Sequence, residues 1–191
     1  MQAFDSLSRD IQQYIYDKGW PSLTSIQNAA IKQVANTDHN LILSAPTASG
    51  KTEAAFIPAL NSVEDWETGL KVLYISPLKA LINDQFQRIS ELSEYLDIPI
   101  TRWHGEVSQA QKKKVVNQPK GVLLITPESI EGMLVNRPGE AQHLFKGVEW
   151  IIIDELHSFL GTERGIHLQS LLQRISRFMQ APRFIAMSAT L

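Results

Sequence analysis

Short apolar, β-branched runs alternate along this chain with longer segments whose apolar residues return every three or four positions. The runs are Leu41–Ser44, Lys71–Ser76, Ile100–His104, Gly121–Thr126, Trp150–Asp154 and Arg183–Met187. None alternates cleanly between polar and apolar, the pattern of strands covered on both faces. The segments between them read as helices. Lys51–Ser62 comes first, with Pro58 expected to bend or end it. Lys79–Leu92 is next, then Ser108–Val116, opened by Ser108 and Gln111 as a capping box. Glu128–Val135 stands behind Pro127, and Gly165–Met179 carries Ile166, Leu168, Leu171, Leu172, Ile175 and Phe178 at helical spacing. Strands alternating with helices predict an α/β domain with a mostly parallel central sheet and helices on both faces. No repeat or linker interrupts the pattern, so residues 1–191 read as one domain. Ligands of open parallel sheets gather at the carboxyl ends of the strands. The polar and small-residue motifs of this chain fall at those ends.

Composition narrows the partners. Of 191 residues, 43% are hydrophobic, enough for one sizeable core. Charged residues make up 20% and the net charge is -2, so no global basic field advertises nucleic acid, and any such contact must come from a local groove. The absence of cysteine excludes disulfides and thiolate metal sites. The longest apolar runs fall far short of the ~20 residues that span a membrane. Met1-Gln2-Ala3-Phe4-Asp5 lacks the charged and apolar regions of a signal peptide, so an intracellular, cytoplasmic location with no membrane partner is expected.

Three motifs carry candidate chemistry. After Leu41-Ile42-Leu43 comes Ala45-Pro46-Thr47-Ala48-Ser49-Gly50-Lys51-Thr52. A buried strand, a small-residue turn and Gly-Lys-Thr opening a helix make a phosphate cradle. Backbone N–H groups across Thr47, Ala48, Ser49 and Gly50 and the positive helix end face a polyphosphate. Lys51 reaches its terminal phosphates, and the Thr52 hydroxyl is placed to ligate magnesium. Ala45 stands where the pattern G-x-x-x-x-G-K-[ST] has glycine, and a small-molecule kinase would use the same loop. Upstream, Gln27 offers the acceptor and donors that match the N6 and N7 edge of adenine, with Phe4 as a stacking candidate, although a surface glutamine on a helix would look the same. The strand Trp150-Ile151-Ile152-Ile153 runs into Asp154-Glu155-Leu156-His157. One acid suits magnesium, and the other suits activation of an attacking water, a role worth about 10²–10⁴ in rate. Ser188-Ala189-Thr190 closes the last strand with two hydroxyls that could connect the acids to something beyond the domain.

Taken in order, Gln27, the Gly-Lys-Thr loop, Asp-Glu-Leu-His and Ser-Ala-Thr resemble the first RecA-like domain of a superfamily-two helicase. The resemblance covers essentially the whole chain and includes Ser76-Pro77-Leu78-Lys79-Ala80-Leu81 and Thr126-Pro127-Glu128-Ser129. The DExH form points away from the strict DEAD-box branch, and the stretch from Ser76 to Asp84, His104-Gly105-Glu106, Thr126-Pro127-Glu128-Ser129 and Gly161-Thr162-Glu163-Arg164-Gly165 look like the large helicase-related (Lhr) proteins. The resemblance implies ATP over the loop, with Gln27 and the backbone near Thr24 at adenine. Lys51 would bind the β- and γ-phosphates, Thr52 and Asp154 would hold magnesium, and Glu155 would polarise water. His157, Ser188 and Thr190 would couple nucleotide state to a partner domain. Pro77, Leu78, Lys79, His104, Gly105, Thr126, Pro127 and Glu128, with Arg164, would line a single-strand track, gripping backbone without reading sequence.

The function so implied is an ATP-dependent helicase or translocase, on DNA in preference to RNA and moving 3′-to-5′. A second RecA-like domain carrying an arginine finger is expected beyond residue 191, so this stretch reads as an N-terminal motor fragment. Two other readings stay open: a P-loop kinase for small molecules, and a non-hydrolysing nucleic-acid scaffold. Among the other charges, Lys112-Lys113-Lys114 reads as solvated surface, because consecutive residues spread around a helix. Glu128, just after Pro127, reads as a helix cap.

Overall fold

In the computed structural model, residues 2–46 and 49–190 are described; Thr47 and Ala48, assigned above to the loop, lie outside the described residues. A 3-10 turn (Phe4–Ser6) precedes α1 (Arg9–Asp17) and α2 (Ser25–Asn36). Then come β1 (Leu41–Ser44), α3 (Lys51–Ser62), β2 (Gly69–Ile75), α4 (Lys79–Tyr95), β3 (Ile100–Trp103) and α5 (Gln109–Asn117). After β4 (Lys120–Ile125) the chain forms α6 (Pro127–Asn136), α7 (Pro138–Phe145) and β5 (Trp150–Ile153). A second 3-10 turn (Leu156–Ser158), α8 (Glu163–Ser176) and β6 (Arg183–Ser188) complete it.

The six strands form one sheet in the order β1-β6-β5-β2-β4-β3, and every neighbouring pair is parallel. That order sorts the helices. The connections β1 to β2 and β2 to β3 step one way across the sheet, and the next three step back. Crossovers are right-handed, so α3 and α4 must cover one face and α5 to α8 the other. The core divides accordingly. Val72, Tyr74, Val122, Leu124, Trp150, Ile152, Ile185 and Met187 pack with Phe56, Ala59, Ile82 and Ile89, and this layer extends over α1 and α2. Leu73, Ile75, Leu123, Ile125, Ile151 and Ile153 pack with Ile130, Leu144, Phe145, Leu168 and Leu171. Alternate residues of the four inner strands serve opposite layers, which is why none of these reads as half polar; edge strand β1, expected to be covered on both faces, leaves Ile42 exposed because no helix packs on that side of it. Among the described residues, no helix is long and apolar enough to cross a membrane.

Several local expectations need correction. Pro58 does not end α3, which continues to Ser62. The missing N–H costs a hydrogen bond, but Phe56, Ile57, Ala59 and Leu60 are all buried around it and hold the turn by packing. Ser108 caps α5 by accepting from the Gln111 N–H at 3.3 Å, yet the Gln111 side chain bonds the Ser108 hydroxyl and not its backbone. Half a box forms. The full capping box is on α2, where Thr24 and Gln27 bond each other's backbone N–H groups. Thr126, not Glu128, caps α6. Lys112 is buried with its ammonium 5.8 Å from the centre of the Trp103 ring, while Lys113 and Lys114 face solvent. Helices α1, α2 and α7 add to those read from the sequence.

Two constraints on this scaffold can be measured. Gly121 sits at φ 68°, and a Cβ there would run into the Pro99 carbonyl where β3 enters the sheet. Gly121→Ala is expected to lower stability by about 2 kcal/mol or more, read from urea unfolding. Between α6 and α8, Glu131 accepts from His167 at 2.9 Å and from both Arg174 amino groups. The Arg174 bonds, then the His167 bond, lower its carboxyl from 4.5 to about 2. A depressed carboxyl contributes stability above its unfolded pKa and loses it as pH falls through the folded value. Glu131→Gln should therefore lower Tm at pH 7, with the difference from the parent shrinking as pH falls from 4.5 toward 2.

Candidate active site

The carboxyl ends of all six strands lie at one edge, and the sequence motifs meet there. β1 delivers the loop and β5, two strands away, delivers Asp154. The loop closes through Gly50, at φ 82° in the left-handed region, where it also forms the N-cap of α3. A Cβ on Gly50 would lie 2.6 Å from the Gln27 Nε2 atom. Glycine is thus required twice: by the backbone angle and by the approach of the glutamine. Gln27 is buried, its Oε1 accepting from the Thr24 N–H at 2.9 Å and its Nε2 donating to the Gly50 carbonyl at 3.5 Å. It is no surface glutamine. One side chain joins the cap of α2 to the loop that opens α3. Phe4 packs against the neighbouring core layer.

Lys51 donates to the carbonyls of Ala45 and, at 2.7 Å, Pro46. Both are neutral acceptors that a phosphate oxygen, being charged, outcompetes. Thr52 is buried in the first turn of α3, and the Ser49 hydroxyl is buried with no protein partner. An orphan hydroxyl at the N-terminal end of α3, beside the Lys51 ammonium, suits a ligand rich in acceptors, so these residues fit a bound polyphosphate.

Asp154 is 6% exposed. Its Oδ1 accepts from the Glu155 N–H at 2.9 Å and its Oδ2 from the buried phenol of Tyr74. Burial raises the Asp154 carboxyl above its ordinary value and the Glu155 charge adds to that, while the Tyr74 bond and the Lys51 charge oppose it. A buried anion beside Lys51 is an attractive seat for a cation. Burial, then the Asp154 charge, pushes the Tyr74 phenol well above its usual range, so it stays a donor. Tyr74 escaped the sequence reading; the one signal was a hydroxyl within an otherwise aliphatic run.

Glu155 takes φ 49° and ψ 46°, left-handed for a non-glycine residue. That turn swings its carboxylate to 3.1 Å from His157 Nε2. The Ala189 N–H donates to His157 Nδ1 at 3.4 Å, and the Ser188 hydroxyl lies 3.2 Å from the same nitrogen. Nδ1 is therefore the acceptor, and the Nε2–H donates to the Glu155 carboxylate. The Ser188 hydroxyl in turn donates to the Thr190 carbonyl. His157 thus links Glu155 to the Ser188-Ala189-Thr190 segment through the Ala189 N–H, while the single Ser188 proton is used within that segment.

Along the same edge lie the strand-track candidates. Pro77, His104, Thr126 and Pro127 are buried at the ends of β2, β3 and β4, and Gly105 is exposed. The Thr126 hydroxyl is engaged by Ser129, so its cap is structural. His104 contacts Asn83 through Nε2 at 3.2 Å, its Nδ1 is buried without a partner, and burial followed by the Arg102 charge lowers its pKa. Lys79 pairs with Glu106. Arg164 donates to the Pro77 carbonyl and to Glu128, each at 2.7 Å, and its guanidinium lies 5.6 Å from the centre of the Phe159 ring. It ties together the segments after β2, β4 and β5. Leu78, the N-cap of α4, makes no side-chain cap bond.

Known proteins resemble this chain in sequence and in fold. ATP-dependent helicase Lhr-Core of Methanocaldococcus jannaschii is 30% identical over 208 residues, covering 100% of this chain and 24% of that protein. The Lhr helicase/uracil glycosylase of Escherichia coli is 34% identical over 192 residues, covering 87% of this chain and 12% of that protein. The chain thus spans a quarter or less of the length of these relatives. Among solved structures, Mycobacterium smegmatis helicase Lhr, bound to ssDNA and AMP-PNP, superimposes with a TM-score of 0.87 at 27% identity, covering 100% of this chain and 26% of that one. The helicase MrfA, bound to DNA and AMPPNP, gives 0.85 at 27% identity, covering 98% and 27%. Residues 24–191 match the DEAD/DEAH box helicase family. The protein belongs to that family: it is a first RecA-like domain with Lhr-type relatives.

Proposed function

We propose that this chain is the ATP-binding half of a helicase or translocase motor that works on single-stranded nucleic acid, DNA in preference to RNA. The observation that carries the proposal is the meeting of Lys51, Asp154 and Glu155 at one sheet edge, with Gln27 seated on Gly50. Lys51 and the N–H groups from Thr47 to Thr52 hold the polyphosphate of ATP. Thr52 and Asp154 hold magnesium, and Gln27, beside Thr24, reads adenine. Bound magnesium–ATP supplies the electrophilic phosphorus and neutralises its developing charge. Glu155 orients the attacking water and takes its proton on a carboxylate oxygen, while the His157 Nε2–H holds the other end of that side chain. His157, Ser188 and Thr190 pass the position of Glu155 outward.

A second RecA-like domain of the same protein completes the site and brings the arginine finger. The extent of the relatives, roughly four or more times this chain, supports that division. Pro77, Lys79, His104, Gly105, Thr126, Pro127 and Arg164 border the strand track, with Arg164 bracing its loops and the start of α4 offering N–H groups to phosphate. The preference for DNA rests on the DNA-bound structures at 27% identity. A kinase needs neither the Gln27–Gly50 contact nor the link from Glu155 through His157 to Ala189. A scaffold needs none of the four polar groups at Lys51, Thr52, Asp154 and Glu155.

Two measurements test this. In the full-length protein, Glu155→Gln should retain ATP affinity while lowering turnover about 100-fold or more, whereas Lys51→Ala should weaken binding itself. Turnover within twofold of the parent in Glu155→Gln would remove the water-activating role. The 191-residue chain alone should bind ATP weakly and hydrolyse it slowly, with the second domain adding about 10³–10⁵ in rate. Brisk ATPase stimulated by single-stranded DNA from the isolated chain would overturn the proposed division between domains.

A further inference from the structure

We infer that Tyr74 is a positioning residue for Asp154: its buried phenol fixes the rotation of the carboxylate that faces the nucleotide-bound cation. The inference rests on the proposed magnesium–ATP site and adds a residue to it. Both oxygens of Asp154 are engaged, Oδ1 by the Glu155 N–H and Oδ2 by the Tyr74 hydroxyl. A carboxylate oxygen has two acceptor directions, so each oxygen keeps one for the cation or its water. Rotating the carboxylate breaks one of the two bonds inside a site that water scarcely reaches. The remaining lone pairs therefore point in fixed directions.

The chemistry of the donor fits this task. A lysine or arginine in place of Tyr74 would neutralise Asp154 and compete with the cation. A phenol orients the carboxylate and leaves its charge in place. The ring is itself held. Tyr74 is wholly buried in β2, paired in register with Ile152 of β5, and stacks on Phe56 with centroids 5.4 Å apart and planes at 27°. Phe56 belongs to α3, the helix whose first two residues are Lys51 and Thr52. One rigid unit thus carries the phosphate-side groups and, through the aromatic stack, the donor that aims Asp154 on the neighbouring strand.

The test separates aiming from folding. ATP binding is measured by calorimetry in EDTA and across a magnesium titration, for the parent chain and Tyr74→Phe. The variant is expected to keep ATP affinity in EDTA within about twofold, and to need about tenfold more magnesium for half-maximal enhancement. Affinity falling equally in EDTA and magnesium, or an unchanged magnesium dependence, overturns the inference. A parent chain whose ATP affinity ignores magnesium overturns the underlying site as well, so the two failures are distinguishable. Should Tyr74→Phe not fold, the parent labelled with 3-fluorotyrosine serves. Of its four tyrosines, the Tyr74 fluorine resonance should move when magnesium is added to the ATP-loaded chain, and a stationary resonance overturns the inference.

Discussion

Every strand of this sheet runs the same way, and that single constraint shapes the rest of the molecule. A parallel strand cannot turn straight back to its neighbour, so each of the first five is followed by a crossing segment, and all six chain exits lie at the same edge. Six departures place six irregular stretches side by side: the loop after Leu43, the Ser76-Pro77 turn, His104-Gly105, the Thr126 cap, Asp154-Glu155 and Ser188-Ala189. Handedness then commits α3 and α4 to one face and α5 to α8 to the other. Asp154 and Tyr74 point into the layer that contains α3. The acid, its donor and the loop helix therefore share one face, while the middle of the sheet is sealed on both sides.

The electrostatics at that edge depend on how little water reaches it. Asp154 is buried and ionisable, and its partners are a phenol and a backbone N–H, neither of which cancels its charge. Lys51, whose charge favours the ionised form of Asp154, is bonded to loop carbonyls. Each of the two unlike charges is bonded to neutral partners and not to the other. Such a site gains more from a divalent cation and a polyanion together than from either alone, because each screens the charge the other leaves exposed. The left-handed turn at Glu155 adds local strain that the Asp154 and His157 contacts hold in place.

Much of this was legible in the sequence because backbone demands leave residue signatures. Gly50 before Lys51-Thr52 marked the start of α3, and the unbroken apolar strands announced a doubly covered sheet. What stayed hidden depended on neighbours distant in sequence. The pattern Thr24-Ser25-Ile26-Gln27 and the pattern Ser108-Gln109-Ala110-Gln111 look alike, yet only the first closes a full box. Gln27 is pinned against Gly50, whereas Gln111 faces solvent. Pro58 reads locally as a stop, and surrounding packing overrides it. Lys112 looked solvated beside Lys113 and Lys114 because the sequence does not show Trp103 beneath it. Arg164 invited a phosphate contact, and its actual neighbours come from turns 36 and 87 residues away.

That last case bears on how such an edge could grip a charged polymer. Lys79 and Arg164 are both neutralised within the domain, by Glu106 and Glu128. A phosphate approaching either cation must displace a carboxylate that stays tethered nearby, so the exchange gains little net attraction. Backbone N–H groups at the start of α4, where Leu78 provides no side-chain cap and the first turn holds no acid, add a positive potential that needs no such exchange. N–H groups recognise a phosphate without regard to base, and fixed dipoles release few counterions compared with free lysines. An overall charge of -2 is therefore no obstacle to a nucleic-acid track. A grip built from weak, evenly spaced, sequence-blind contacts can be released and remade one step along the strand, the property a translocating motor requires.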